Sequence, residues 1–251
     1  MAEVLLAYLT KAGYTVDWTS DGAEALQLWQ RSAPDVVILD IMLPGMSGLE
    51  LLRRRRQSGD SAAVIVLSAR GEEEDRLVGL ETGADDYVVK PFSPREVVLR
   101  IAALLRRTER LAGIPLLCRI IDIGQLRIDF GARTAHLVRR RASSSEQLSS
   151  HPDRQLNLTT REFDLLAFLA AHPGQTFSKE QLLRRVWGWD FGDTSTVTVH
   201  VRRLREKVER DPSDPQIVLT VGRAGYRLAR EDEQSPDEGP GTHPAREVEP
   251  Q

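Results

Sequence analysis

Apolar residues recur along the first hundred positions in two alternating rhythms. Val4, Leu5, Tyr8 and Leu9 sit at helical spacing and share one face. Residues 15–19 then read as a short strand. Asp21 is placed to cap a helix whose apolar face is Ala25, Leu26, Leu28 and Trp29. Val36-Val37-Ile38-Leu39 is a β-branched run of the kind found in strands buried on both faces. A Pro/Gly loop follows, and the pattern then predicts a helix over about 48–56, a strand over 63–67, a helix over 72–82 and a short strand over 87–89. Pro94 opens a last helix that runs to about Arg107, proline being favoured in a first turn. Strands alternating with helices predict an α/β unit over residues 1–107, with a parallel, doubly wound sheet.

The second half changes rhythm. Residues 108–122 read as a linker. Short strands are expected over 123–130 and 134–138, then a long exposed hairpin loop over the Arg/Ser/Gln-rich residues 139–155. Thr159 and Glu162 form a capping box ahead of Phe163, Leu165, Leu166, Phe168 and Leu169. Ser178 and Gln181 do the same for Leu182, Leu183, Val186 and Trp187. A third helix is expected from about Thr194 to Val208, and a terminal hairpin over 217–228. Residues 123–230 therefore make an α+β unit. Residues 231–251 are Pro/Glu/Asp/Gly-rich, nearly free of large apolar side chains, and expected to be disordered.

Composition narrows the class. The 251 residues are 41% hydrophobic and 28% charged, ordinary for a globular chain of two domains. No apolar run approaches the roughly 20 residues that span a bilayer, and the N-terminus lacks a basic signal-peptide opening. A single cysteine, Cys118, excludes an intrachain disulfide and fits a cytoplasmic protein. The net charge of −3 is unevenly spread: −5 over residues 1–105, +6 over 123–230 and −6 over 231–251. The basic unit suits a phosphate backbone as partner.

The chemistry concentrates after the first predicted β-branched strand. In Asp35-Val-Val-Ile-Leu-Asp40-Ile-Met-Leu-Pro-Gly-Met-Ser-Gly48, Asp40 falls at the carboxyl end of that strand, where open α/β sheets bind ligands. The next two strand ends supply Ser68 and Lys90. A carboxylate nucleophile beside a hydroxyl and an ammonium is a constellation for phosphoryl transfer. No Gly-rich nucleotide loop and no Ser/His/Asp order is present, so an enzyme is not expected.

These residues, with Ser68-Ala-Arg-Gly-Glu72 and Gly83-Ala-Asp-Asp-Tyr-Val-Val-Lys-Pro-Phe-Ser-Pro94, resemble the receiver domain of two-component response regulators of the OmpR/PhoB subfamily. The resemblance implies a flavodoxin-like receiver in which Asp40 is the phosphoacceptor, Ser68 the switch hydroxyl, Tyr87 the switch aromatic and Lys90 the phosphate-contacting lysine. Mg2+ would be held by Asp40 and the Met42 backbone carbonyl. In the family a hydrophobic first strand and an acidic pair complete the metal site. Both would lie upstream of Met1. Either the start is placed too late, the favoured reading, or this receiver has lost the strand and the pair. The resemblance also implies a homodimer on activation through a face carrying Arg76, Asp85, Asp86, Glu96, Arg100 and Arg107. Taken alone, those charges read as solvated helix surface, as do Arg53 to Arg56.

Residues 123–229 resemble the winged helix-turn-helix of the same subfamily. In Thr194-Ser-Thr-Val-Thr-Val-His-Val-Arg-Arg-Leu-Arg-Glu-Lys-Val208, Val197, Val201, Leu204 and Val208 form a core stripe, while Thr198, Arg202 and Arg205 form an exposed face suited to a major groove. Thr198, Val199 and Arg202 are candidates for base contact. Arg203, Arg205, Thr220 and Tyr226 are candidates for phosphate contact. Ser195 stands where many relatives carry arginine. The wing reads Gly222-Arg223 in place of the usual Arg-Gly, so Arg223 is a displaced candidate for the minor groove. The implied function is transcription control: a sensor histidine kinase as phosphoryl donor, double-stranded promoter DNA as target and RNA polymerase as a candidate partner. The alternatives are a phosphorylation-independent DNA binder with a vestigial receiver and a pure phosphate sink.

Overall fold

The computed structural model describes residues 2–68, 73–105, 120–138, 154–189 and 193–234, the side chains of 73–77 apart. The first domain is built on three parallel strands, β1 (Val36–Asp40), β2 (Ala63–Ser68) and β3 (Asp86–Val89), hydrogen-bonded in that order. Ile38 pairs with Ile65, and Val66 with Tyr87. Strand side chains alternate between faces, and β2 shows what that does. Ala63, Ile65 and Leu67 join one core with Leu5 and Leu9 of α1 (Ala2–Lys11) and Val97, Ile101 and Leu104 of α5 (Pro94–Leu105). Val64 and Val66 join the other core with Trp29 of α2 (Gly22–Ser32), Leu51 and Leu52 of α3 (Gly48–Gln57) and Leu80 of α4 (Glu73–Thr82). Asp21 caps α2 as expected, accepting from the Ala23 and Glu24 amides.

The second domain opens with a four-stranded antiparallel sheet: β4 (Ile120–Ile123), β5 (Leu126–Asp129), β6 (Thr134–Leu137) and β7 (Arg154–Gln155). Behind it stand α6 (Thr160–Ala170), α7 (Lys179–Leu182, continued by a wide π turn over Leu183–Trp187) and α8 (Ser195–Val208). A closing hairpin pairs β8 (Val218–Val221) with β9 (Gly225–Leu228). One core runs through all of these except β7, from Ile128 to Leu166, Trp187, Leu204 and Leu228. Both predicted capping boxes are present.

Several expectations are corrected. Residues 15–19 form no strand: among the described residues nothing pairs with that segment, and a β-branched run without a ladder stays an extended loop. Tyr14 and Val16 still pack on the α1–α5 core. The region 123–130 is not one strand but the end of a hairpin, because Gly124, at φ 58, turns the chain between Ile123 and Leu126. Pairing therefore begins at Ile120, inside the expected linker. Arg154 and Gln155 belong to β7 rather than to a loop. The tail does not begin loose: Glu231–Gln234 forms a 3-10 turn in which Glu233 pairs with Arg227. The rest of the expected linker, 106–119, the loop residues 139–153 and the tail from 235 lie outside the described residues.

His200 of α8 is fully buried, edge-on to Trp187. Its Nδ1 faces the Thr196 carbonyl at 2.8 Å, so Nδ1 carries the proton. Burial, with Arg203 beside it, depresses the imidazole from 6.5 to about 4. The fold therefore holds His200 neutral, and its contribution to stability is complete above pH 6.5 and lost as the pH falls towards 4. Urea unfolding at pH 7 and pH 5 should show wild type losing more stability on acidification than His200→Gln. Parallel pH slopes for the two proteins would refute this account.

Candidate functional site

Three strand ends meet at one rim of the parallel sheet. Asp40 ends β1, Ser68 ends β2 and Lys90 follows β3, its amide held by the Ser68 carbonyl at 2.8 Å. The register explains the meeting: parallel pairing of Asp40 with Leu67 and of Ser68 with Val89 brings the three ends level. Lys90 Nζ lies 2.5 Å from Asp40 Oδ2, and the Met42 amide donates to Asp40 Oδ1 at 3.0 Å. Both side chains of the ion pair are 30% exposed. Ser68 is buried, and its Oγ has no hydrogen-bond partner among the described residues. A buried hydroxyl left unpaired is costly unless something else takes the bond. The Lys90–Pro91 peptide is cis. Gly48 packs so closely on the Asp40 carbonyl that a Cβ there would overlap it. The rim thus offers a reachable carboxylate, a cation bonded to it and a hydroxyl in reserve. Tyr87 is half-buried against the α2–α4 core.

Several of the charges that alone read as solvated are not. Asp85 and Asp86 are completely buried. Asp86 pairs with Arg100, which also holds Glu96. Burial pushes the Asp86 carboxyl up to about 6 despite Arg100. Asp85 accepts from the Val64 amide at 2.9 Å and from Arg56 at 3.0 Å. Arg56 is accordingly no solvated residue: it also donates twice to the Gly83 carbonyl. Arg55 is mostly buried and pairs with Asp60, and only Arg53 and Arg54, bridged to Glu50, keep to the expected surface. The Arg76 side chain and Arg107 lie outside the described residues.

On α8, Thr198 is exposed and Arg202 largely so, although Arg202 pairs with Glu81 and Glu206. Val199 is buried, in the core of the first domain. Arg203 is buried too, paired with Glu162. Arg205 is not on the open face: it donates to the Val218 carbonyl and to Thr220 Oγ1 and lies over the Tyr226 ring, so it ties α8 to the hairpin. Thr220 and Arg223 are exposed, whereas Tyr226 is buried. Ser195 is held by Asp193 at the helix entrance.

Sequence reasoning missed the second use of Glu162. Besides its capping bond to the Thr159 amide, it pairs with both Arg203 and Lys207. Burial pushes its carboxyl up, but the two cations outweigh burial and hold it below its ordinary value. A capping-box glutamate followed by a basic helix was the available signal.

Residues 1–102 match the family described as Response regulator receiver domain, and residues 153–228 that described as Transcriptional regulatory protein, C terminal. The chain is 41% identical over 228 residues to the DNA-binding response regulator MtrA of Mycolicibacterium smegmatis, covering 90% of this chain and 91% of that one. It is 41% identical over 229 residues to the sensory transduction protein RegX3 of the same organism, covering 91% and 94%. The alkaline phosphatase synthesis transcriptional regulatory protein SphR of Synechococcus elongatus is 39% identical over 237 residues, covering 90% and 86%. Among solved structures, a RitR mutant superposes with a TM-score of 0.67 at 25% identity, over 91% of this chain and 94% of that one. Receiver rim and winged helix stand in one chain, in the order and over the length shared by these regulators. The chain belongs to the OmpR/PhoB family of DNA-binding, two-component response regulators.

Proposed function

We propose that Asp40 is the phosphoacceptor, that a sensor histidine kinase is the donor, and that α8 and the β8–β9 wing read double-stranded promoter DNA. The observation that carries the first part is the Lys90–Asp40 pair at 2.5 Å beside the buried Ser68 hydroxyl, which has no hydrogen-bond partner among the described residues. An Asp40 oxygen attacks the phosphorus of a phosphohistidine. The new O–P bond forms as the P–N bond breaks, and the imidazole keeps the electron pair. Lys90 then exchanges its carboxylate partner for a phosphoryl oxygen, and Ser68 Oγ gains an acceptor. The chain acts as a regulator, and this transfer to its own side chain is the only chemistry assigned to it.

Receiver domains generally use Mg2+ at this position. The described residues do not fit the ion unaided. Asp40 is already engaged by Lys90 and the Met42 amide, and no group of three or more His, Cys, Asp or Glu side chains that could hold a metal occurs among the described residues. Mg2+ favours octahedral oxygen ligation, with carboxylates and phosphate oxygens completing the set. The Met42 carbonyl is the one further ligand the family resemblance offers.

No helix among the described residues is long and apolar enough to cross a membrane. A cytoplasmic site of action fits a kinase-fed DNA reader. Activation through a homodimer, by the face around Asp86, Glu96 and Arg100, fits the family. RNA polymerase is the natural downstream partner, although no described surface is assigned to it.

Two measurements test this reading. Incubated with a small acyl-phosphate donor, the chain should gain one phosphoryl group by intact mass. Asp40→Ala should gain none, and Lys90→Ala should react about a hundredfold more slowly. An adduct that survives in Asp40→Ala would reject Asp40. The second measurement titrates the donor-treated chain with duplexes selected from a random pool, at several salt concentrations. Arg223→Ala should weaken all duplexes alike and reduce the salt slope by about 1, whereas Thr198→Ala should lose about 1–3 kcal/mol on selected duplexes only. Equal losses on selected and unselected duplexes would remove Thr198 from base reading.

A further inference from the structure

A carboxylate stands where a helix least favours one. Glu209 follows the last residue of α8, and its own amide donates to the Arg205 carbonyl at 2.9 Å. The carbonyl end of a helix carries partial negative charge, so an anion there is unfavourable unless other donors meet it. Here they do. Glu209 Oε2 accepts from the Gln216 amide at 3.0 Å, and Oε1 accepts from the Ile217 amide at 3.0 Å and the Val218 amide at 2.8 Å. Three consecutive amides at the entrance to β8 converge on one half-buried side chain. Bonds to an ionised acceptor are about twice as strong as neutral ones.

Arg205 stands about one helical turn before Glu209. Its Nε and Nη2 both donate to the Val218 carbonyl, at 2.9 and 2.7 Å, and Nη2 donates also to Thr220 Oγ1 at 2.7 Å. Val218 therefore has its N–H held by an anion and its carbonyl held by a cation, and both holders belong to α8 or its cap. The second strand of the hairpin is held elsewhere: Tyr226 and Phe177 exchange two backbone bonds of 2.9 Å. These grips matter because β8 and β9 form a two-stranded sheet, and an isolated two-stranded hairpin is at best marginally stable. Past Val218 the hairpin runs out to Gly222, Arg223 and Ala224, all exposed. The arm that carries Arg223 is thus anchored at its root to α8.

We propose that Glu209, together with Arg205, is a positioning residue for DNA reading: the two fix the offset between α8 and the wing, so that Thr198 on the helix and Arg223 on the wing meet one duplex together. Arg205 is then committed to the wing and is not a phosphate contact. A contact made by a fixed arm costs no further ordering on binding, whereas a swinging arm must be immobilised first. The sign of the effect is diagnostic. Removing an anion from a DNA-binding domain by charge alone tightens binding to phosphate. Removing a positioning anion weakens it.

The proposal rests on the DNA-reading function, and a double-mutant cycle separates the two. The donor-treated full chain, Glu209→Gln, Arg223→Ala and the double variant would be titrated with one selected duplex at several salt concentrations. Glu209→Gln should bind about fivefold or more weakly than wild type. In its background, Arg223→Ala should cost less than about twofold and leave the salt slope unchanged, because the arm no longer delivers that contact. Thr198→Ala should keep its full fold-loss in both backgrounds, which a general loss of folding would not allow. If Glu209→Gln unfolds, Arg205→Lys takes its place in the cycle: lysine keeps a cation for phosphate but lacks the fork that grips Val218 and Thr220. Tighter or unchanged binding by Glu209→Gln, or an Arg223→Ala loss that multiplies through undiminished, overturns the positioning role while DNA reading stands. A wild-type chain that binds no duplex overturns the DNA-reading function, and the proposal with it.

Discussion

The arrangement of this molecule depends on one carboxylate that has lost all contact with water. Removing a charge from water costs several kcal/mol unless bonds replace the lost hydration. Asp85 replaces it with the Val64 amide and the Arg56 guanidinium from its own domain and the Arg161 amide from the other. Each donor comes from a different element. The group that fixes how β3 follows α4 therefore also fixes where α6 begins relative to the receiver. Once α6 is set, Glu162 in its first turn draws Arg203 and Lys207 inward, and α8 is laid against α4. Buried hydrogen bonds and ion pairs, together with Val199 seated in the core of the first domain, set the position of α8.

Much of this was legible before any coordinates. Asp40, Ser68 and Lys90 could be read as strand ends because a β-branched run followed by a polar residue marks where a buried strand leaves the sheet. The capping boxes at Thr159 and Ser178 were legible because they are local, within four residues. The hairpin turn at Gly124 was missed because Ile123 to Phe130 reads as one apolar run, and the positive φ that Gly124 supplies leaves no trace in hydrophobic pattern. Residues 15–19 were misread for the opposite reason: β propensity describes a residue that fits a ladder, and here no described strand offers one.

Reading Asp85, Asp86 and Arg56 as solvated was the larger failure, and its cause is physical. Asp85, Asp86 and Arg56 have the composition of a surface, and no periodicity separates a solvated aspartate from one bonded to three donors. Burial of a charge is decided by partners 21 to 76 residues away along the chain, as Val64 and Arg161 are from Asp85. Pattern reasoning sees about one helical turn in each direction.

The same distance dependence explains why Arg203 resisted assignment. On an isolated helix it adjoins Arg202, and both appear ready for phosphate. In the folded chain, the Leu80 carbonyl lies 2.9 Å from Arg203 and Glu81 lies 2.9 Å from Arg202, yet the two contacts differ in kind. Arg202 is 66% exposed and its pair with Glu81 is worth at most about 1 kcal/mol, so DNA phosphate can displace it at little cost. Arg203 is 9% exposed and bonded to two carbonyls and a carboxylate. It can reach a phosphate only if the domains separate. Of two neighbouring arginines on one helix, one keeps a largely exposed guanidinium and the other is committed to holding α8 against α4.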